Sequence, residues 1–273
     1  MLYTESQTQN FSGHQFAYLL VKESGHVLTI TLNRPEKKNA MNAVLMHELA
    51  FALSYAHYCS DIRVVVLAAN GTIFCAGADL KAFAGEVQSS HSSIPEPPEP
   101  VRLGDVFSDL HKPCIARVHA SVYAGGFLLI AGCTHVIAAS GATFSLPEVK
   151  RGLFPFQVMA SLLPLMPARQ VLDLCIRART LSAMEALQTG LVTQVVEAEA
   201  LDEAVRKLSE EILALSPTAI RMGLEAYQHL QRIPAGQHHA YLHGMLQGVL
   251  KTEDAREGLA AFAEKRNPVW TGK

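Results

Sequence analysis

The sequence lacks the patterns that mark several large functional classes. Its five cysteines are widely spaced with no CxxC pair, which argues against a disulfide framework or a zinc site and favours reduced thiols in a cytoplasmic protein. The twelve histidines form no HExxH or HxH pattern, so no metal site is expected. Neither a GxSxG nucleophile elbow nor a P-loop occurs, so a serine hydrolase or an NTPase has no support.

A large charge excess and a long uninterrupted hydrophobic run are lacking too. The net charge of −2 gives no reason to expect nucleic acid or an anionic membrane as a partner. Residues 121–142 are nearly uncharged, but glycines and the pair Thr134-His135 divide them. This stretch therefore predicts pieces of helix and strand rather than a membrane span. The first twelve residues are polar and lack the apolar core of a signal peptide.

The chain does have enough apolar residues for a large core, since 49% of its 273 residues are hydrophobic. β-Branched and apolar runs predict strands at 26–32, 63–69 and 113–118, and the stretch from there to residue 156 predicts a glycine turn, a helix, a strand, a short strand and a loop. Helices alternate with strands through about residue 150, and helices alone follow. This order predicts an α/β fold of the βαβ type with a helical C-terminal part.

Helix ends can also be located from the sequence. Asn42 is a predicted N-cap for a helix to about Tyr58, and Ser182 with Glu185 forms a capping box. Two helices are predicted near the C-terminus, over 217–230 and 237–266. Residues 85–100 are rich in serine and proline and predict a mobile surface loop, either a flap over a site or a plain disordered insertion.

A glycine turn, Ala124-Gly125-Gly126, separates the predicted strand 113–118 from an apolar helix over 127–133. Glycine there lets a ligand approach the backbone and leaves N–H groups at the helix start free to donate. The turn Ala76-Gly77-Ala78-Asp79 has the same form, although it is also consistent with an ordinary strand-to-helix connection with Asp79 at the helix start. If the fold brings the two turns together, they form an oxyanion hole.

Glu148 stands alone among Leu146, Pro147 and Val149. A carboxylate among apolar groups has a raised pKa and can serve as a general base. The same sequence is consistent with a surface glutamate on a loop, and the local pattern leaves both possibilities open. Two donor turns and one such carboxylate are what enolate chemistry requires.

Several short motifs occur in an order that resembles the crotonase superfamily, that is, the enoyl-CoA hydratase/isomerase family. They cover most of the chain from His26 onward and are highly specific together. They are LNRP (32–35) with NAMN (39–42), FCAGADL (74–80), AGG (124–126), PEV (147–149) with GL (152–153), SAMEA (182–186) with GLV (190–192), and AFAEKR (261–266).

The resemblance implies a core of stacked ββα turns over residues 1–200 and a helical trimerisation region over 201–273. It implies that the N–H groups of Ala78 and Gly125 bind the thioester oxygen of an acyl-CoA while Glu148 moves a proton. Coenzyme A would enter as part of the substrate, with no permanently bound cofactor, and the assembly would be a homotrimer or a homohexamer. The implied CoA contacts are Lys37 and Ala40 near the adenine, Ala76, Asp79 and Leu80 along the pantetheine, and Phe262 and Lys265 toward a neighbouring subunit's CoA phosphate.

Two departures from the family pattern affect the predicted reaction. Hydratases of the family carry a second glutamate at the position held here by Leu128, and leucine can neither hold a water nor accept its proton. The glycine-rich segment after the catalytic loop is replaced by residues 154–158, where Phe156 is expected to narrow the acyl pocket. Isomerisation of an enoyl-CoA by one glutamate is therefore favoured. A hydratase that holds its water differently and a catalytically silent CoA-binding scaffold are the alternatives.

Overall fold

The computed structural model describes residues 1–83 and 90–273. Nine strands lie in these residues: β1 Leu19–Ser24, β2 Val27–Leu32, β3 Val64–Ala69, β4 Cys114–Val118, β5 Val122–Tyr123, β6 His135–Ala139, β7 Thr143–Ser145, β8 Thr180–Ser182 and β9 Gln194–Val196. The first six α-helices are α1 Glu5–Thr8, α2 Ala43–Tyr58, α3 Leu80–Phe83, α4 Leu103–Ser108, α5 Phe127–Ala131 and α6 Phe156–Leu162. The other six are α7 Ala168–Arg177, α8 Ala183–Gln188, α9 Leu201–Leu213, α10 Pro217–Leu230, α11 His238–Val249 and α12 Glu253–Glu264.

The larger sheet has the order β1-β2-β3-β4-β6-β9, and only the β1–β2 pair is antiparallel. Strand β3 is buried along its whole length, as its continuous apolar sequence predicts for a sheet covered on both faces. Its Val65 and Leu67 join the main core, whereas Val64 and Val66 pack on the opposite face. Helix α9 covers that second face, so the sheet lies between two apolar layers.

A smaller sheet has the order β5-β7-β8, and its strands β5 and β7 directly precede the predicted site residues Gly125 and Glu148. Strands β5 and β7 are parallel, with Val122 opposite Phe144 and Tyr123 opposite Ser145. Cys75 forms a parallel bridge to Val122, which adds the segment before the Ala76–Asp79 turn to the same edge. Three segments of the chain therefore run side by side in one direction.

The predicted caps of two helices are confirmed. The Asn42 side chain accepts from the N–H of Leu45 at 2.9 Å, and Ser182 and Glu185 form the capping box of α8. The single helix predicted over 237–266 is wrong, because α11 ends at Val249 and α12 starts at Glu253. Thr252 caps α12 by accepting from the N–H of Ala255 at 3.1 Å, and this local bond competes with a continuous helix.

The serine- and proline-rich segment is only partly within the described residues, because 84–89 lie outside them. Residues 91–100 form neither helix nor strand and contact the N-terminal segment. The Tyr3 hydroxyl donates to the carbonyl of Pro95 at 2.8 Å, and Ser93 and Gln15 exchange two hydrogen bonds. Across residues 1–83 and 90–273, no helix combines the length and hydrophobicity that a membrane crossing requires.

Candidate active site

The three predicted site segments emerge at the same end of the smaller sheet. The N–H of Phe74 donates to Ser121 O at 3.0 Å, and the N–H of Tyr123 donates to Cys75 O at 2.9 Å, which fixes the first segment against β5. The β5–β7 register then fixes the third segment.

Ala78 and Gly125 each lie three residues beyond the bridged pair Cys75 and Val122, and Glu148 lies four residues beyond Phe144, the partner of Val122. Parallel strands that are in register end side by side, so their following turns meet at one edge. The fold therefore places the three segments that carry the predicted residues at one edge of the smaller sheet.

The two glycine turns are in direct contact. A methyl group on Gly125 would lie 3.6 Å from the nitrogen of Ala78, and one on Gly77 would lie 3.0 Å from the nitrogen of Gly125. Gly77 has φ +91°, and its methyl would also lie only 2.6 Å from the Ala124 Cβ, so glycine is required at this position. The close approach of the backbones sets the N–H groups of Ala78 and Gly125 next to each other.

Hydrogen bonds on either side leave these two donors available. The N–H of Met41 donates to Gly77 O at 2.7 Å, and the N–H of Asp79 donates to Met41 O at 2.8 Å. Between these bonds, the Ala78 N–H has no acceptor in the part of the chain that the structure describes. Gly125 is the second residue of the 3₁₀ turn Ala124–Gly126, where N–H groups lack a partner within the turn.

The turn that contains Gly125 has a strained backbone. Ala124 has φ +50°, in the left-handed region that costs a residue with a Cβ about 1–2 kcal/mol. Such strain persists where the surroundings fix the conformation, and it is concentrated at ligand sites. The strained residue immediately precedes the proposed donor, which supports a functional role for this turn.

Glu148 opens the 3₁₀ turn Glu148–Arg151 and is half-buried. Its Oε2 atom is fully buried and has no hydrogen-bond partner among the described residues. Burial raises the pKa of Glu148, while a backbone hydrogen bond and the charge of Arg151 act in the opposite direction with less effect. A carboxylate oxygen without a donor in a water-poor position is suited to accept a proton from a substrate.

Cys175 on α7 is a neighbour of Glu148 that the sequence did not reveal. Burial raises the pKa of the Cys175 thiol, and the negative charge of Glu148 raises it further. The thiol therefore stays neutral and contributes an uncharged, weakly polar surface. Its sequence position, 27 residues from Glu148, carries no signal of this contact.

Leu128 lies on α5 and is 8% exposed within the main core. The helix begins directly after the glycine turn, and its neighbours Phe127 and Leu129 are fully buried. The side chain at position 128 and the residues around it are therefore all apolar. The family resemblance would place a second glutamate of hydratases at this position. Phe156, the first residue of α6, is 69% exposed and its ring packs against Phe154 with centroids 5.0 Å apart. Its narrowing of an acyl pocket stays a prediction.

Four of the residues predicted to contact CoA lie in or beside the Ala76–Asp79 turn and the segment 37–41 that is bonded to it. Lys37 is exposed, Ala40 is half-buried and adjoins the bridge residue Met41, and Leu80 is 53% exposed. Ala76 is half-buried and its N–H donates to Lys38 O at 3.0 Å, which joins the two segments.

Asp79 differs from these residues because its carboxylate is buried in an ion pair. Arg34 donates from Nη1 to Asp79 Oδ2 at 2.8 Å and to Ala40 O at 2.8 Å. A buried pair of this kind holds its two segments in one arrangement, and removal of one partner leaves an uncompensated charge. Asp79 therefore stabilises the turn through Arg34, a partner that sequence reasoning missed.

Phe262 and Lys265 lie at the end of α12, far along the sequence from the residues of the glycine turns. Both side chains are exposed to solvent. Phe262 is 87% exposed, and Lys265 ends the helix in the left-handed conformation at φ +55°. An apolar side chain so exposed in a single chain is suited to contact another molecule. In residues 1–83 and 90–273, no group of three or more His, Cys, Asp or Glu side chains is placed to hold a metal ion.

Two adjacent backbone donors with one carboxylate of raised pKa are groups that could stabilise the enolate of a carbonyl compound and transfer its proton. Comparison with known proteins agrees with this class. The model of the enoyl-CoA hydratase/isomerase family matches residues 22–273, and the chain belongs to this family. The α/β fold predicted from the sequence is confirmed, but the prediction that helices alone follow residue 150 is wrong, because the short strands β8 and β9 lie beyond it.

Individual relatives cover almost the whole chain. The carnitinyl-CoA dehydratase of Salmonella heidelberg is 36% identical over 262 residues, which are 93% of this chain and 98% of that protein. The dehydratase of the same name from Citrobacter koseri is 36% identical and covers 91% and 96%. A crystal structure of an enoyl-CoA hydratase from Mycobacterium tuberculosis matches with a TM-score of 0.83 at 32% identity, covering 94% of this chain and all of that one.

Proposed function

We propose that this protein acts on an acyl-CoA thioester and that Glu148 alone transfers the proton, as in a 3-enoyl-CoA to 2-enoyl-CoA isomerase. The thioester oxygen accepts hydrogen bonds from the N–H groups of Ala78 and Gly125. These donors stabilise negative charge that develops on the oxygen in the transition state. Coenzyme A is part of the substrate, and the proposal requires no permanently bound cofactor.

The proposed reaction uses one carboxylate twice. The Glu148 carboxylate removes a proton from C2 of a 3-enoyl-CoA, and the resulting charge spreads over C2, C4 and the thioester oxygen. The neutral glutamic acid then returns the proton to C4, so that the double bond lies between C2 and C3 and the carboxylate is restored. No atom is gained or lost overall. The raised pKa of Glu148 makes both halves of this transfer feasible near neutral pH.

The observation that carries the proposal is the contrast between Glu148 and Leu128. Glu148 Oε2 is buried and has no hydrogen-bond partner among the described residues, whereas position 128 carries a buried apolar side chain. Addition of water requires a water molecule held at the substrate's C3, and leucine cannot hydrogen-bond to it. Transfer of one proton between two carbons needs no such water.

The second candidate is a dehydratase or hydratase, which the names of the relatives favour. In the direction of water loss, Glu148 would remove the C2 proton of a 3-hydroxyacyl-CoA and then protonate the departing hydroxyl group. One carboxylate suffices if both groups leave from the same face. This alternative requires the hydroxyl to reach Glu148 without help from position 128.

A comparison of rates on two substrates tests the proposal. We expect the unmodified protein to isomerise a 3-enoyl-CoA faster than it hydrates crotonyl-CoA. Leu128→Glu should raise hydration relative to isomerisation, and the matched variant Leu128→Gln, which cannot accept a proton, should not. Faster hydration by the unmodified protein would instead support the second candidate. Binding of CoA without turnover of either substrate would indicate a silent scaffold.

We further propose that the working form is a homotrimer or a homohexamer of two trimers. The exposed Phe262 and Lys265 support this assembly, because the positive charge of Lys265 suits a CoA phosphate of a neighbouring subunit. Lys37, Ala40, Ala76, Asp79 and Leu80 would contact CoA within one chain. Light scattering should show a trimer or hexamer at micromolar concentration, and a stable monomer would contradict the proposal.

A further inference from the structure

A second cleft lies where the end of α2 and the segment before β4 meet the start of α10. Its volume is about 190 Å³. Five of its lining residues are basic, and none of the described residues that line it is acidic. The basic residues are His57, Arg63, His111, Lys112 and Arg221. None of its lining residues belongs to the turns 76–79, 124–126 or 148–151, so the cleft is distinct from the candidate active site.

Lys112 is partly buried and hydrogen-bonded to the end of α2. Its Nζ donates to the carbonyl oxygens of Ala56 and Cys59, the latter at 2.6 Å, at the C-terminal end of α2. Burial lowers the pKa of Lys112 to about 8, because these carbonyl groups only partly replace the lost water. The charge of Lys112, which lines the cleft, is therefore only partly stabilised.

Within residues 1–83 and 90–273, the two arginines of the cleft form no ion pair shorter than 3.7 Å. Arg63 Nη2 donates to the carbonyl of Trp270 at 3.3 Å, and Arg221 Nη1 lies 3.7 Å from the Glu225 carboxylate. Three nearby carboxylates lie outside the lining, and their negative charges offset part of the positive potential of the cleft. They belong to Asp61, Asp109 and Glu225. The guanidinium groups keep most of their capacity to donate toward the cleft.

Protonation of the two histidines would add hydrogen-bond donors to the cleft. His57 Nδ1 lies 3.1 Å from Leu110 O, which leaves Nε2 for another partner, and the rings of His57 and His111 have centroids 5.6 Å apart. Burial lowers the pKa of both side chains, and His57 lowers that of His111 further. An anion between these groups would favour their protonated forms and gain charged donors.

We propose that this cleft binds a small multivalent oxyanion of the phosphate type, held by Arg63, Lys112 and Arg221 with the two histidines. Planar guanidinium groups match the oxygens of phosphate, and several cations around a small cleft favour a compact anion over a long one. The cleft is bounded by α2, the start of β3 and the first turn of α10. A bound anion therefore links the core to the C-terminal helices and stabilises their contact.

Thermal unfolding in inorganic phosphate tests this site. We expect phosphate to raise the Tm along a saturable curve, beyond potassium chloride of equal ionic strength. Arg221→Gln should remove the saturable part, and Arg63→Gln should do the same. Arg177→Gln, which removes an exposed arginine on α7 outside the cleft, should keep it. A rise that is linear in phosphate and equal in all variants would overturn the proposal, because preferential exclusion from the surface gives that behaviour.

Direct binding distinguishes this cleft from the acyl-CoA site. Isothermal titration with phosphate should show the same affinity in free protein and in protein saturated with CoA, and Arg221→Gln should weaken it at least tenfold. Glycerol 3-phosphate in a parallel titration shows whether a phosphate ester is preferred to the free ion. Loss of phosphate binding on addition of CoA would overturn the proposal, because it would place the phosphate in the CoA site. This experiment does not depend on the enzyme's reaction.

Discussion

Two carboxylates of this chain, Glu148 and Asp254, are both withdrawn from water, but their pKa values move in opposite directions. Asp254 is 1% exposed and accepts hydrogen bonds from Ser216 Oγ at 2.9 Å and from the N–H groups of Thr271 and Gly272 at 2.9 and 3.0 Å. Burial alone would raise its pKa, but the donors outweigh burial and lower it. Glu148 Oε2 has no donor among the described residues, and burial raises its pKa.

The supply of hydrogen-bond donors therefore explains why the pKa of Asp254 is lowered and the pKa of Glu148, the proposed base, is raised. Asp254 joins the start of α10, the start of α12 and the C-terminal segment, and its ionised form is held in place. Glu148 follows β7, one of the three parallel segments, and its Oε2 has no donor among the described residues. Substitutions at the two positions should therefore have effects of different kinds.

The largest effect is expected from Glu148→Gln. Glutamine keeps the shape of the side chain but cannot accept the substrate's proton, so turnover should fall by about 10²–10⁴-fold. The affinity for CoA ligands and the Tm should stay close to those of the unmodified protein. Steady-state rates with parallel ligand titration check this. Normal turnover by the variant would show that Glu148 is not the base.

A smaller but clear effect is expected from Gly125→Ala, which tests the proposed pair of backbone donors. The added methyl would lie 3.6 Å from the Ala78 nitrogen, in the space that a thioester oxygen needs, and 3.1 Å from the movable Cε of Met41. The backbone N–H remains, but the methyl group would keep the substrate oxygen from the donors, so turnover should fall by about 10²–10³-fold, as when one donor of such a site is removed.

Gly141→Ala is the matched control for Gly125→Ala, since nothing lies within 4 Å of its added methyl. This variant should keep both activity and Tm. If Gly125→Ala and Gly141→Ala behave alike in kinetic assays, the pair of N–H groups does not bind the substrate oxygen.

Asp254→Asn should affect stability without affecting the reaction. The loss of charged acceptors for buried donors should lower the free energy of unfolding by about 1–3 kcal/mol at neutral pH. Because the pKa of Asp254 is lowered in the folded state, its contribution is present above the unfolded value of about 3.9 and is lost as pH falls through the folded value. The stability difference from the unmodified protein should therefore shrink in acid.

Urea denaturation at several pH values measures that difference. Asp173→Asn is the control, since Asp173 is paired with Arg177 and Arg179 at the surface and should contribute little. A stability loss for Asp254→Asn that stays constant down to pH 3 would contradict the assigned protonation behaviour.

The turns, helix caps and candidate site residues could be predicted from the sequence, but the burial and the long-range partners of those residues could not. The glycine turns and the caps at Asn42 and Ser182 follow from local chemistry, and the resemblance placed Ala78, Gly125 and Glu148 in one site. The burial of Glu148 could not be predicted locally, because it depends on α7 and the β5–β7 register. The pairing of Asp79 with Arg34 crosses 45 positions and left no periodic signal.

The C-terminal region shows the same limit. Apolar spacing predicted one helix over 237–266, whereas Thr252 caps a separate helix and Asp254 binds donors up to 38 positions away. A short polar residue within an apolar pattern can continue a helix or start one, and only its tertiary partners decide between the two. The structural role of Asp254 was therefore not predictable from its neighbours in sequence.

The most direct test of the central claim is a ¹³C NMR titration of the side-chain carboxyl groups, with Glu148→Gln and Asp254→Asn used to assign the two signals. We predict that the Glu148 carboxyl titrates above the ordinary glutamate value of about 4.3, and that Asp254 titrates below the ordinary aspartate value of about 3.9. A Glu148 midpoint at or below the ordinary value would contradict the account, because the carboxylate would then be solvated and would lack the environment of the proposed base.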